Sequence, residues 1–487
     1  MPKYHEFIII GSGFGGIGMA IQLQNAGHTD IKILEKADTV GGCWRDNTYP
    51  GAACDVPSHL YSYSFEKNYP WSRRFAPQAQ ILAYQKHVAE KYHVMELCQF
   101  NTEVAQADYD ETRGRWVIRT QRDELFECRF LISATGQLSV PAQPNIKGID
   151  DFKGIVFHSA RWPDFYDLSQ QKVAVIGTGA SAIQFVPEVV KVAKSVTLFQ
   201  RSAPYVLPKP DKEYSPRMKR LMKRFPIIRS LERLGLYSAY ETRVLGFGSL
   251  HKYTMKFFQM RFHSFLRKQV KDPTLREKLT PDYPMGCKRV LLSNNYYPAL
   301  VQPHVTVETE SIEKMTATGI RTADGTEHHA DVVIFGTGFK ATEFLSPIKV
   351  TGAQGQTLTQ AWQQGAEAYK GISVAGFPNL FILYGPNTNL GHNSIIYMLE
   401  SQFDYVLKCI QAVEKKKARS IDVKQKVMRR YNLDIQEQIG ATVWQSGCTS
   451  WYQNESGKNT NNWPTFTFTY RAQTKNVTLE DYHFEPA

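Results

Sequence analysis

Phe7-Ile-Ile-Ile-Gly11-Ser-Gly13-Phe-Gly-Gly16 is a short apolar run that breaks into a glycine-rich turn and leads into an amphipathic segment. The pattern predicts a strand, a tight turn and a helix. In such a turn the first glycine allows the bend, the second lets backbone approach a pyrophosphate, and the third packs helix on strand. Gly11, Gly13 and Gly16 stand at those places, and the helix that follows offers free N–H groups to phosphate. Glu35 comes 24 positions after Gly11, at the end of Ile31-Lys-Ile-Leu. A carboxylate there accepts hydrogen bonds from a ribose 2′-hydroxyl.

The same arrangement occurs a second time. Val173-Ala-Val-Ile runs into Gly177-Thr178-Gly179-Ala-Ser181-Ala182, and Arg201 with Ser202 follows Val196-Thr-Leu-Phe-Gln, again 24 positions after the first glycine. A guanidinium at this place suits a 2′-phosphate where a carboxylate does not. The chain therefore reads as holding two dinucleotides, an unphosphorylated one such as FAD and NADPH. The fold class implied is α/β, with two Rossmann-like dinucleotide-binding domains. The apolar strands Phe130-Leu-Ile-Ser-Ala-Thr-Gly136 and Asp331-Val-Val-Ile-Phe-Gly-Thr-Gly338 end in similar small-residue turns. They predict an FAD domain over 1–140 and 336–487 that embraces an NADPH domain over 141–335. The C-terminal part, with Tyr384-Gly-Pro-Asn387 and Trp451-Tyr-Gln, then completes the cleft.

The 487 residues are ample for two or three domains. The net charge of +12 is concentrated: Lys209 to Lys278 carries 18 Lys/Arg against 6 Asp/Glu, and the rest balances. This stretch lies in a proline-bounded helical insert at about 205–285, with basic residues interleaved among large apolar ones at helical spacing. A solvated basic face, peripheral contact with anionic lipid, and nucleic-acid binding are the three readings; no nucleic-acid module accompanies the charge. The seven cysteines are scattered and lack a CxxC pair, which predicts neither a disulfide framework nor a thiolate metal site, and points to a reducing cytoplasm. The first strand begins too near Met1 for a signal peptide, and no run suits a membrane span. The expected location is cytoplasmic, with peripheral contact at the inner membrane surface open through the insert.

Between the two nucleotide motifs stands Phe152-Lys-Gly154-Ile-Val-Phe-His158-Ser-Ala-Arg-Trp162-Pro163. This segment resembles the FxGxxxHxxxWP fingerprint of type I Baeyer-Villiger monooxygenases, class B flavin-dependent enzymes, and the likeness runs from Gly11 to the Trp451 region. Overall the chain looks most similar to the hydroxyacetophenone monooxygenase-like branch, without a long N-terminal extension. The resemblance implies an NADPH- and O2-dependent FAD monooxygenase that converts ketones to esters or lactones through a C4a-peroxyflavin. Sulfoxidation is a side activity of such chemistry. The resemblance further implies that Arg289, in Gly286-Cys-Lys288-Arg289, sits beside the flavin and that Asp55, in Tyr49-Pro-Gly-Ala-Ala-Cys-Asp55, holds it.

The physical reason for an arginine is that a guanidinium keeps its proton near neutrality, so it stabilises a peroxide and then an oxyanion without quenching either. Lys288 and Arg201 resemble contacts to the 2′-phosphate of NADPH, with Ser202 as a further donor. Trp44, after Gly41-Gly42-Cys43, resembles a residue near the isoalloxazine. Trp451 is either a packed aromatic or a loop tryptophan that meets the nicotinamide cofactor on closure. For His158 a structural role at a hinge, with Trp162 packed beside it, is preferred to catalysis. An N- or S-oxygenase of the wider class is the alternative, and a flavin disulfide reductase would need a closer cysteine pair than Cys43 and Cys54. A non-catalytic flavin- and NADPH-binding sensor is a third reading. No metal is expected, the substrate ketone is unnamed, and the oligomeric state is open.

Overall fold

A computed structural model describes residues 2–164, 166–248, 251–448 and 450–486. Its two main sheets follow from two sets of buried β-branched strands. In the first, Lys3–Ile10 pairs in parallel with Ile31–Leu34 on one side and Leu125–Ser133 on the other. Phe7 to Ile10 are buried, so this strand reads as a continuous apolar run with both faces covered. Val104–Asp110 and Arg115–Thr120 extend the sheet as antiparallel neighbours, and Lys349–Thr351 and Leu380–Ile382 return to it from the far end of the chain.

The helix Phe14–Asn25 is buried on nearly every side, so it shows no single apolar stripe in place of the amphipathic pattern expected. It lies against the long helix Ile395–Lys415, and Gly18 is the point of closest approach: a Cβ there would stand 2.4 Å from the Phe403 ring.

The second sheet is all parallel, ordered Val305–Glu308, Ser195–Phe199, Lys172–Ile176, Val332–Phe335, Ile155–His158. Because side chains alternate along a strand, its two faces bury different sets. Val173 and Val175 pack on the helices Ala182–Val190 and Tyr296–Leu300. Ala174 and Ile176 face a core shared with Met315 and Ile320 of a three-stranded antiparallel ribbon, Ile312–Thr316, Gly319–Thr322 and Glu327–His329.

The chain passes between the two sheets twice, near 141 and near 338, and the two passages are bonded to each other. Pro141 and Phe339 form an antiparallel bridge, Ala142 N donates to the Gly338 carbonyl at 2.9 Å, and Lys340 N donates to that of Val140 at 2.9 Å. A pair of short crossings like this is a natural hinge.

The segment 205–285 contributes the helices Pro216–Arg224, Pro226–Glu241, His251–Gln269 and Pro273–Lys278. Phe262, Leu266 and Val270 anchor the third of these in the second core. The second reaches across to the first unit: Arg229 donates to Asn68 Oδ1 at 2.8 Å, and Arg233 donates to the carbonyls of His59 and Ser62.

A further expectation is corrected. Cys287 and Cys448 form a disulfide, although they stand 161 positions apart. Counting cysteines and searching for CxxC detects only pairs that are close in sequence, whereas this bond joins two loops brought together by the fold. Cys43, Cys54, Cys98, Cys128 and Cys409 are free.

Candidate active site

The two glycine turns stand at the C-terminal ends of the central strands, where open α/β sheets bind ligands. A Cβ on Gly11 would come 2.8 Å from the Ala134 carbonyl oxygen, and one on Gly16 would come 1.9 Å from that of Gly11. Protein packing therefore excludes any side chain at both places. Gly13 differs, for its Cβ would meet nothing nearer than Gly42 at 3.7 Å, and its φ of −79° suits any residue. Nothing in the protein itself demands a glycine there, so the bare backbone faces a cradle that a pyrophosphate fits. The second turn repeats the contrast: Gly177 is crowded by the Gly336 carbonyl at 2.5 Å, while Gly179 has only that oxygen at 3.9 Å.

Glu35 is buried at the end of its strand and ties the first turn together. Its Oε2 accepts from Ser12 N at 2.9 Å and Ser12 Oγ at 2.7 Å; Oε1 accepts from Ala37 N at 3.0 Å and pairs with Arg45 at 3.0 Å. A carboxylate has about four lone-pair sites. A ribose hydroxyl must therefore share one of them; Arg45 is itself held by Asp46 and the Thr39 carbonyl, each at 2.7 Å. Trp44, half-buried nearby, donates its indole N–H to Tyr61 at 3.1 Å.

At the second turn, Thr178 Oγ1 donates to the Ser202 carbonyl at 3.2 Å, and Lys288 Nζ donates to Ser202 Oγ at 3.1 Å. Burial and then the neighbouring Arg201 push the Lys288 ammonium below its ordinary range. Arg201 is exposed and has no ion pair among the described residues. Two cations and a hydroxyl converge, with the Asp282 carboxylate near enough to act on Lys288, an arrangement that suits a phosphate dianion. Ser181 lies at the N-terminus of the helix Ala182–Val190.

Arg289 and Asp55 meet across the two units. Arg289 Nη2 and Nε both donate to Asp55 Oδ2, at 2.6 and 3.1 Å. Burial pushes the Asp55 carboxyl up, but the Arg289 guanidinium outweighs it, with Lys209 adding to it, and holds the group below the ordinary carboxylate range. The carboxylate in turn raises the Arg289 pKa, so the guanidinium stays charged. Gln184, on the Ala182–Val190 helix, fixes the approach: it accepts from Tyr49 Oη at 3.0 Å and donates to the Ala53 carbonyl at 2.9 Å. The Asp55 loop of the first unit is thereby latched onto the second.

The fingerprint segment lies beside the hinge. Gly154 is required by crowding, since a Cβ would stand 2.3 Å from the Asp331 carbonyl and 2.5 Å from the Phe152 ring. His158 is buried; Nδ1 accepts from Ala160 N at 3.0 Å, and the ring lies 6.0 Å from that of Phe339. Burial pushes its pKa down, which keeps the imidazole neutral. Trp162, followed by Pro163, packs on Phe157 and Phe185 with ring centroids 5.1 and 5.5 Å away. The surroundings of His158 and Trp162 are thus those of a joint between sheets.

Two clusters escape a reading by motif. Tyr452 is buried beside Arg289, and burial pushes its phenol up to about 12 against the opposing pull of that guanidinium. Tyr384 Oη donates to Asn389 Oδ1 at 2.6 Å; Asn387 donates to the carbonyls of Asn459 and Asn462, and Asn389 to Asn462 Oδ1. In this network Asn459 Nδ2, Asn461 Oδ1 and Asn462 Nδ2 are buried without partners. Such orphans are rare in a finished interior and fit a polar ligand edge. Asn-Thr-Asn-Asn in sequence reads as a surface turn, which conceals the cluster. Trp451 is partly exposed, with its ring 4.6 Å from that of Tyr452.

The pyridine nucleotide-disulphide oxidoreductase family model matches residues 8–228, which include both glycine turns. A Baeyer-Villiger monooxygenase of Pseudomonas aeruginosa is 47% identical over 99% of this chain and 92% of its own length. One from Streptomyces coelicolor is 44% identical over 99% and 93%. The chain belongs to the Baeyer-Villiger monooxygenase family. Among solved structures, that of OTEMO in complex with FAD and NADP is similar over 99% of this chain and 100% of that one, with a TM-score of 0.90 and 29% identity. This family membership separates the chain from the disulfide reductases whose model it also matches. Cys43 and Cys54 are unpaired here, and burial pushes the Cys54 thiol up to about 12, away from a reactive thiolate.

Proposed function

We propose that the protein is an FAD enzyme that uses NADPH and O2 to insert one oxygen atom beside a ketone carbonyl, giving an ester or lactone. Ketone, O2, NADPH and a proton become ester, NADP+ and water. The observation that carries this reading is the Asp55–Arg289 pair, which joins the two nucleotide units at the mouth of their glycine turns. The FAD unit comprises 1–140 and 336–487, and the NADPH unit 141–335.

The chemistry that FAD supplies when bound is passage of two electrons from NADPH to O2. Gly11, Gly13, Gly16 and Glu35 would hold its diphosphate and ribose, and Trp44 and the Asn387–Asn462 network would offer contacts to its ring. Gly177, Thr178, Gly179 and Ser181 would hold the NADPH diphosphate; Arg201, Ser202 and Lys288 would hold its 2′-phosphate. Arg289 presents a permanently protonated fork to the oxygen anion that develops at the substrate carbonyl, and Asp55 fixes the direction of that fork. Tyr452 and Trp451 exclude water from the same face. The low pKa of Asp55 and the high pKa of Arg289 keep the pair ionised throughout the neutral range.

The experiment is product analysis by mass spectrometry after the FAD-loaded protein is incubated with NADPH, O2 and phenylacetone. Benzyl acetate is the expected product. NADPH consumption that yields only H2O2 across a panel of ketones, together with oxygenation of amines, would transfer the assignment to nitrogen oxygenation.

A further inference from the structure

Among the described residues, eleven of nineteen exposed large apolar side chains lie between Met218 and Met260. They are ordered. In the helix Pro216–Arg224, Met218 and Leu221 lead on to Phe225; in Pro226–Glu241 the exposed set is Ile227, Leu231 and Leu234; in His251–Gln269 it is Tyr253, Phe257, Phe258 and Met260. Phe258 apart, each set has the spacing of one helical stripe. Ile227, Leu231 and Leu234 are 60 to 63% exposed, and Tyr253 is 77% exposed.

The second helix is docked through a mixed face, with Tyr240 buried and Tyr237 half-buried against the first core beside polar groups that point the same way. Arg229 is buried and bonded to Asn68, Arg233 is bonded to backbone carbonyls of the first unit, and buried Glu241 accepts from Thr467 Oγ1 at 2.8 Å. A separate apolar stripe, Ile227, Leu231 and Leu234, is left on the outside. Beside the stripes stand exposed cations, among them Arg217, Lys219, Arg220, Lys223, Arg224 and Arg261, in a segment with 18 Lys/Arg against 6 Asp/Glu. Some lie directly against the exposed rings: Arg224 is 5.8 Å from the Phe225 ring and Arg261 is 5.9 Å from that of Phe257.

We propose that this face is an interfacial binding surface for an anionic lipid bilayer, with the apolar stripes entering the headgroup boundary and the basic residues meeting lipid phosphates. Long basic stems beside apolar side chains suit that depth profile, with the stem in the boundary and the charge in the headgroups. A second copy of the chain is disfavoured by charge, because a symmetric contact would set two segments of net +12 face to face. Nucleic acid would match the cations but leave leucines and isoleucine facing water. No described helix is long and apolar enough to cross a membrane, so the contact is on the surface. This proposal is independent of the oxygenation chemistry.

The test is co-sedimentation of the full-length FAD-loaded protein with vesicles of phosphatidylcholine alone and of phosphatidylcholine mixed with phosphatidylglycerol. Binding is expected only to the mixed vesicles and to weaken steeply with salt. Each basic residue removed near the surface should cost about fivefold in partitioning, so Lys219→Glu with Lys223→Glu should abolish most of it. Leu231→Gln with Leu234→Gln should also release the protein, while ketone turnover in solution stays unchanged and reports an intact fold. Equal binding to both vesicle types, no binding, or full binding by the Leu231/Leu234 variant overturns the proposal. So does a doubled solution mass in the wild type that this variant halves, which would make the face a contact between copies.

Discussion

At the scale of single residues, the proposed assignment of each nucleotide unit rests on one charge. Arg201→Ala removes a charge-assisted bond worth about 1.5–3 kcal/mol, and is expected to raise the KM for NADPH roughly 10- to 150-fold with little effect on NADH. Steady-state kinetics with both cofactors checks this, and equal effects would remove Arg201 from the 2′-phosphate site. Arg289→Ala should lower ester formation by on the order of 10²–10³, the usual loss when one oxyanion donor is deleted. NADPH oxidation should persist as H2O2 release, which separates a lost oxyanion partner from a lost cofactor. Asp55→Asn keeps the shape but not the charge, and should give a smaller version of the same uncoupling. Glycines, acidic and basic partners of the two turns were legible because each type has one physical job at its place. The asparagine network was not, since a buried Asn and a turn Asn look alike until the fold supplies the partners.

At the scale of elements, the Cys287–Cys448 bond ties the Lys288–Arg289 segment to the loop of Trp451 and Tyr452. Lys288, Arg289, Trp451 and Tyr452 are thus tied covalently into one assembly. Cys448→Ser should lower stability by about 2–4 kcal/mol if the bond constrains the unfolded chain as usual, and should expose Lys458 to trypsin. Limited proteolysis with and without dithiothreitol reads the second effect; an unchanged digestion pattern would mean that packing alone holds the loop. In a reducing compartment such a bond is commonly a transient, redox-responsive one. The strands were readable in sequence because both sheets bury β-branched runs. The outward stripe of Pro226–Glu241 was not, because helical spacing gives the stripe but not the side on which the protein lies.

At the scale of the whole molecule, the C-terminal return of the chain is held to the first sheet by groups remote from the cleft. Asp422, part-buried, accepts from Gly376 N at 3.1 and 3.0 Å, and burial pushes its carboxyl up to about 7. A folded pKa above the unfolded value means that its contribution is full below about pH 4 and is lost as pH rises through about 7. Asp422→Asn should therefore gain thermal stability relative to the wild type as pH is raised from about 5 to about 8. Parallel melting curves test it, and a constant difference would show that Asp422 does not titrate in that window. The nucleotide units were visible in the sequence and the Asp55–Arg289 pair between them followed from the family resemblance, yet the Gln184 latch did not, for no local pattern says that Gln184 will grip the Asp55 loop. That grip has an evolutionary consequence. Half of the ion pair is inherited with one unit and half with the other, so a chimera that exchanges a single unit between relatives must bring a carboxylate and a guanidinium to the same height. Recombination across the hinge is thus permitted only between lineages that have kept both halves in register.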